Sequence, residues 1–233
     1  MSVMTFVWIH GVTTASISPG PVIFWGALAV FVLLFIRNMV KDLGRPKRMK
    51  FFAEQIGFSY QKGRGNLARS LKMPPFNDPR TESRETSCRL SGEWQKRSLD
   101  ILDYDYEVPQ SGRRSRWLRQ TVVLLQSDAL DLPEFALTPK SGFAGWMTER
   151  NEKQGIDFPE DTYFCRKLVL TGKVESEVRR FFTSSVRRVL AENRDVCVAG
   201  EGTTLALHCR KLLKPDAIVR LRDLAGRLAE EFA

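Results

Sequence analysis

Residues 21–36 read PVIFWGALAVFVLLFI, and no Asp, Glu, Lys or Arg occurs anywhere from Met1 to Ile36. At helical rise this run spans about 24 Å, slightly less than a hydrocarbon core of about 30 Å. The missing turn can come from Ser18-Pro19-Gly20, or from Asn38-Met39-Val40 with Arg37 snorkelling to the headgroups. Pro19 and Pro21 suit a first helical turn, where a lost N–H has no intrahelical partner to miss. Trp25 then sits one turn inside, as an interfacial ring. A buried helix of a soluble protein could be as apolar, but an abrupt basic cluster rarely follows one. A cleaved signal peptide needs a basic start and a small-residue cleavage site, and the sequence offers neither. The expectation is a single transmembrane helix over 18–40, preceded by a short tail, 1–17.

The flanking charges orient it. Arg37, Lys41, Arg45, Lys47, Arg48 and Lys50 stand against Asp42 alone in residues 37–50. The positive-inside rule puts this side in the cytoplasm and the tail outside. Residues 41–50 form a basic juxtamembrane link, and 51–233 a cytoplasmic domain. The same six cations are the expected membrane-surface contacts, with a bilayer of anionic headgroups as the first partner.

This topology explains much of the charge. The chain carries +9, of which a net five fall in residues 37–50, so the domain beyond is only mildly basic. That removes the simplest case for nucleic acid. About 185 residues remain beyond the anchor, enough for a proper core. Cys88, Cys165, Cys197 and Cys209 are widely spaced with no C-x-x-C pair, and a cytoplasmic domain keeps them reduced. Cys197, His208 and Cys209 could converge on a metal, but their spacing fits no compact zinc pattern, and core packing is the plainer reading.

Along the domain, Phe51, Phe52, Gln55 and Ile56 predict a short amphipathic helix ended by Gly57. Residues 58–60 predict a strand, and 61–86 a long loop around a helical patch at Leu67 to Leu71. From Cys88 the period is two. Residues 99–108 place Asp103, Asp105 and Glu107 on one strand face, with Tyr104, Tyr106 and Val108 on the other. Trp117 to Leu125 runs back beside them. Further strands are expected at 135–137 and 163–170, with loop and a possible turn around Trp146 between. One helix is expected over 173–193, with Arg179, Arg180, Arg187 and Arg188 off its apolar stripe. A hairpin around Gly200-Glu-Gly202 follows. A last helix opens at Pro215-Asp216, with Ile218, Leu221, Leu224, Ala225, Leu228 and Phe232 inward. The fold class is α+β: a largely antiparallel sheet packed with two C-terminal amphipathic helices.

Asp103, Asp105 and Glu107 are the candidate metal ligands, since three carboxylates on one face can hold Mg²⁺ or Ca²⁺. A turn centred on Gln110 and Ser111 sets Glu107 opposite Arg114 and Asp105 opposite Arg116, which favours a salt-bridged solvated face instead. Arg113, Arg114, Arg116, Trp117 and Arg119 mix guanidinium and aromatic groups, a weak pattern for phosphate or nucleic acid. Lys62-Gly-Arg-Gly65 lacks the spacing of a phosphate loop. No nucleophile elbow, H-E-x-x-H, kinase set or Ser-His-Asp constellation occurs, and His208 is the lone histidine beyond His10.

Gln120-Thr-Val-Val123, Leu132-Pro-Glu-Phe135 with Leu137 and Pro139, Ile156-Asp-Phe158, Phe164, Leu170-Thr-Gly172, Val178-Arg179 and Phe181-Phe182 resemble a group of uncharacterised bacterial single-pass membrane proteins. The resemblance spans about half of the domain. Cys165 stands where that pattern leads one to expect a small polar residue. The group implies no assigned activity, cofactor or site residue. The expectation is therefore a membrane-tethered cytoplasmic module that binds a lipid or an unidentified protein, rather than an enzyme, and that needs no cofactor. A metal-dependent enzyme at Asp103, Asp105 and Glu107 is the alternative.

Overall fold

The structure, a computed structural model, describes residues 28, 31, 44–63, 67–78, 81, 83–110, 113–140 and 155–233. The chain divides into two units, residues 1–45 and 46–233. Apart from Leu28 and Phe31, both helical and exposed, the helix expected over 18–40 lies outside the described residues, as do Arg37 and Lys41. Among the described residues, no helix is long and apolar enough to cross a membrane.

The second unit is a mixed α/β domain around one eight-stranded sheet in which every pairing is antiparallel. In chain order the elements are α1 (Arg45–Ile56), β1 (Ser59–Lys62), α2 (Leu67–Ser70), β2 (Ser83–Trp94), β3 (Arg97–Gln110), β4 (Arg113–Gln126), β5 (Leu132–Pro139), α3 (Thr162–Lys167), β6 (Leu168–Gly172), α4 (Glu175–Phe181), α5 (Ser184–Glu192), β7 (Cys197–Gly202), β8 (Thr204–His208) and α6 (Pro215–Phe232). The spatial order is β1-β2-β3-β4-β8-β7-β5-β6. The β7–β8 hairpin thus sits in the middle of the sheet, beside β4.

Alternation along the strands divides the core in two. One face carries Cys88, Leu90, Leu99, Ile101, Val123, Leu125, Phe135, Leu137, Leu170, Val198, Leu205 and Leu207, and buried residues of α1, α3, α4, α5 and α6 close over it. Phe135, Phe164, Phe182 and Phe232 meet there at ring-centroid distances of 5.0–6.4 Å. The other face carries Leu102, Tyr104, Tyr106, Val122, Leu124, Ala199 and Ala206, covered by Met73 and Phe76 of the segment after α2. In α6 the expected stripe is the buried one. Gly226 lies within that stripe because a Cβ there would come within 2.6 Å of the Trp94 ring, over which Arg222 also stacks at 4.8 Å.

Five expectations are corrected. The basic link is not separate from the domain: α1 begins at Arg45 and buries Met49, Phe52 and Ala53, leaving Phe51 61% exposed. Strand β2 starts at Ser83, within the stretch read as loop, because its charged residues alternate on a half-covered surface. Residues 163–170 are not one strand. Asp161 caps α3 by accepting from the Phe164 N–H at 3.0 Å, and only Leu168 onward is extended.

The helix over 173–193 is two helices. Thr183 accepts from the Val186 N–H at 3.3 Å and starts α5 afresh, turning Phe182 fully into the core. This break also buries Arg187, expected to face solvent. Its guanidinium reaches Asp161 and Glu160, both at 3.1 Å, and the Phe182 carbonyl at 2.8 Å, and it stacks on Phe158 at 4.3 Å. A buried guanidinium with this many acceptors pins α5 to the cap of α3. The C-terminal part therefore contributes three helices rather than two.

Candidate functional site

The acidic strand was the first candidate. Asp103, Asp105 and Glu107 share a face of β3, but neighbouring strands occupy two of the three. Asp103 is buried. Its Oδ1 accepts from Thr121 Oγ1 at 2.9 Å and its Oδ2 from the Cys88 thiol at 3.2 Å. Thr121 Oγ1 in turn accepts from the Leu213 N–H at 2.9 Å, tying the approach to α6 to the middle of the sheet. Asp105 accepts from Arg119 Nε at 3.2 Å. Burial raises the Asp105 pKa from its ordinary value, and Arg119 opposes that shift. Among the described residues, no three His, Cys, Asp or Glu side chains form a metal-holding group.

The expected cross-strand partners are displaced. Asp105 faces Arg119 rather than Arg116, and Glu107 faces Trp117 rather than Arg114. The turn lies one residue later than expected, and a bulge between Val108 and Gln110 adds a further step. Pro109, which has no N–H for the ladder, sits in that bulge.

The arginine cluster is divided by the same geometry. Trp117 and Arg119 lie on the Asp105 face, and Arg116, exposed, on the opposite one. The side chains of Arg113 and Arg114, and residues 64–65 of Lys62-Gly-Arg-Gly65, lie outside the described residues. The histidine–cysteine trio is also separated. His208 and Cys197 are register partners on the Tyr104 face, whereas Cys209 packs against the other core. All four cysteines are free. Burial pushes the Cys197 thiol up to about 11, and raises that of Cys209 as well. Cys165 lies half-buried in α3, where its sulfur accepts from the Phe158 N–H at 3.1 Å.

Of the expected membrane-surface cations, Arg45, Lys47, Arg48 and Lys50 all fall on α1. Lys47, Arg48, Lys50 and Phe51 are exposed on the side opposite Met49, Phe52 and Ala53.

A second constellation comes only from strand register. Thr86, Tyr104 and Gln120 are consecutive register partners across β2, β3 and β4, all at most 1% exposed. Thr86 shares this face because a bulge between Thr86 and Cys88 reverses the alternation of β2 at Ser87. His208, 4% exposed, lies opposite Val122 on the same face. The Thr86 hydroxyl, the Tyr104 hydroxyl, both amide atoms of Gln120 and His208 Nδ1 are buried and have no hydrogen-bond partner among the described residues. Burial, helped by the Arg210 charge, pushes His208 down to about 3, so its imidazole is neutral. Burial likewise raises the Tyr104 phenol, and pushes Tyr106 up to about 12. Tyr104 stacks on Tyr106 at 5.1 Å and meets the Phe76 edge at 4.9 Å. The sequence carries a faint trace of this row: single polar residues, Gln120 and His208, at inward positions of otherwise apolar strands.

No protein-family model matches the sequence, and neither does a curated protein. Among solved structures, the fold is similar to the crystal structure of the mycobacterial trehalose monomycolate transport factor A, with a TM-score of 0.59 and 11% identity over 81% of this chain and 94% of that one. At that identity the likeness is one of fold.

Proposed function

We propose that the protein is a membrane-tethered binding module: an accessory factor, not an enzyme, whose folded domain works against the anionic inner leaflet. The observation that carries this reading is α1. It begins in the basic stretch that follows the apolar run, buries one face in the domain, and presents Lys47, Arg48, Lys50 and Phe51 outward. Each lysine or arginine near an anionic surface contributes about 1 kcal/mol, and a flanking aromatic ring adds an apolar contact at the interface. The bilayer is thus the first partner. The fold shared with a transport factor makes a membrane transport assembly the protein partner to look for first.

Fractionation of the full chain provides the test. It should pellet with membranes, resist a carbonate wash and require detergent for release. Recovery in the soluble fraction without detergent would overturn the reading. With the anchor intact, Lys47→Glu combined with Lys50→Glu should make limited proteolysis of the domain on anionic vesicles faster, while leaving it unchanged on neutral ones.

A further inference from the structure

Five polar atoms on one sheet face, belonging to Thr86, Tyr104, Gln120 and His208, are buried with no protein partner among the described residues. Orphans of this kind are few in folded proteins and usually scattered, and each one invites an explanation. Here three of the residues form a single line across adjacent strands, and the fourth is a diagonal neighbour. Strand spacing puts Thr86 and Gln120 about 10 Å apart, with His208 about 8 Å from Gln120. That footprint matches one or two sugar rings. Every group in it is neutral. The set mixes donors and acceptors in the way a string of hydroxyls does, each able to give and to take a proton. Two guanidinium groups lie nearby: Arg84 donates to the Asp78 carbonyl at 2.7 Å, and the Arg210 charge acts on His208 and on the Cys197 thiol.

The cover over the row is slight. Residues 67–78 form no ladder with the sheet and sit on it through Leu67, Leu71, Met73 and Phe76, the last edge-on to Tyr104. Most of their backbone bonds are local, as from the Phe76 N–H to the Met73 carbonyl at 2.9 Å, and the Asp78 carbonyl at the segment's end accepts from Arg84 of β2. A segment held by a few side chains opens at far lower free energy than a strand in the middle of a sheet.

We propose that the Thr86–Tyr104–Gln120–His208 row is a binding site for a neutral polyhydroxylated group, a sugar, admitted when segment 67–78 lifts from the sheet. The sugar hydroxyls would take the places that no protein group fills, and Tyr104 would offer its ring to the apolar face of the sugar. The site stands apart from the membrane reading, since it needs neither the anchor nor the basic face of α1.

The experiment is saturation-transfer NMR on the full chain in zwitterionic micelles, with maltose, octyl glucoside and glucose 6-phosphate as probes. Transfer to the ring protons of maltose is expected if the natural source is a free sugar. Transfer to those of octyl glucoside alone would assign the site to a lipid-linked headgroup. Either signal should fall at least five-fold in Gln120→Met and in Tyr104→Phe, with the variants' amide spectra still dispersed. Hydrogen exchange supplies the second readout: amides in 67–78 should exchange several-fold faster when the sugar is present, because it holds the segment off the sheet, and those of α6 should not change. No transfer to any neutral sugar would overturn the proposal, as would transfer that survives both substitutions, or a response to glucose 6-phosphate alone.

Discussion

The two faces of the sheet are closed in opposite ways. On the first, five helices lay down aliphatic and aromatic side chains, and Asp103 bonds Thr121 and Cys88 and Arg187 bonds Asp161, while the Tyr60 hydroxyl has no hydrogen-bond partner among the described residues. On the second, a short segment covers a small cluster in which the Thr86 and Tyr104 hydroxyls, the Gln120 amide and His208 Nδ1 have no hydrogen-bond partner among the described residues. Apolar burial stabilises at roughly 25 cal/mol per Å², whereas a buried orphan costs about 1–3 kcal/mol. The first face therefore supplies the domain's stability, and the second gives some of it back. An arrangement of this kind is expected where a surface serves something besides folding.

The largest effect that separates the faces is on core aromatics. Phe182→Ala, which empties the centre of the four-ring cluster, should lower unfolding free energy in denaturant melts by about 3–5 kcal/mol. Phe76→Ala should cost about 3 kcal/mol or less, because its loose segment can settle into the space. Exchange of amides in 67–78 should then rise while the central strands stay protected. Equal losses, or a global rise in exchange, would break the distinction between the faces.

Acid should find the second face next. The folded-state pKa of His208 is about 3, below the ordinary 6.5, so as pH falls the unfolded chain takes the proton first. Its contribution is fully present above pH 6.5, is lost at about 1.4 kcal/mol per pH unit below that, and levels off near pH 3. Thermal melts between pH 6.5 and 5 should show a loss of about 2 kcal/mol that flattens in His208→Leu. An unchanged slope in the variant would mean that His208 is not buried and neutral.

A smaller effect has the opposite sign. Gln120→Met replaces two unpartnered amide atoms with an apolar chain of similar length, and should raise stability by about 1 kcal/mol. A clear loss would show that the amide is bonded within the free protein and would dissolve the contrast. The smallest change is expected at the half-exposed pair: Arg119→Ala should shift stability by less than about 1 kcal/mol, measured as a change in denaturant midpoint.

Much of the architecture was legible because it rests on repeating patterns. The period of two from Cys88 onward predicted antiparallel strands, and the apolar stripe of α6 appeared residue by residue in its buried face. Legibility failed where one residue decides. Thr183 and Asp161 each start a helix with one side-chain oxygen, which breaks the helix expected over 173–193 and turns an apolar run into α3. Arg187 looked like a solvated residue because a sequence does not show that Asp161 and Glu160 come round to meet it. The acidic strand kept a metal site open as the alternative to a salt-bridged face for the same reason. Only the neighbouring strands reveal that Thr121, Cys88 and Arg119 already engage two of its three carboxylates.

From the sequence alone came the charge-free run at 21–36 with its basic flank, the α+β composition, and the alternation that makes a sheet, because these depend on local spacing and on transfer free energies that add along a chain. Register was decided only by the tertiary structure. One extra residue at Ser87 and one at Pro109 reset which side chains face each other, because a single-residue slip in a strand moves its side chains to the other face. Those two bulges put Thr86 in line with Tyr104 and Gln120, and set Asp105 against Arg119. No local pattern contains that information, since it resides in the pairing of strands far apart in the chain.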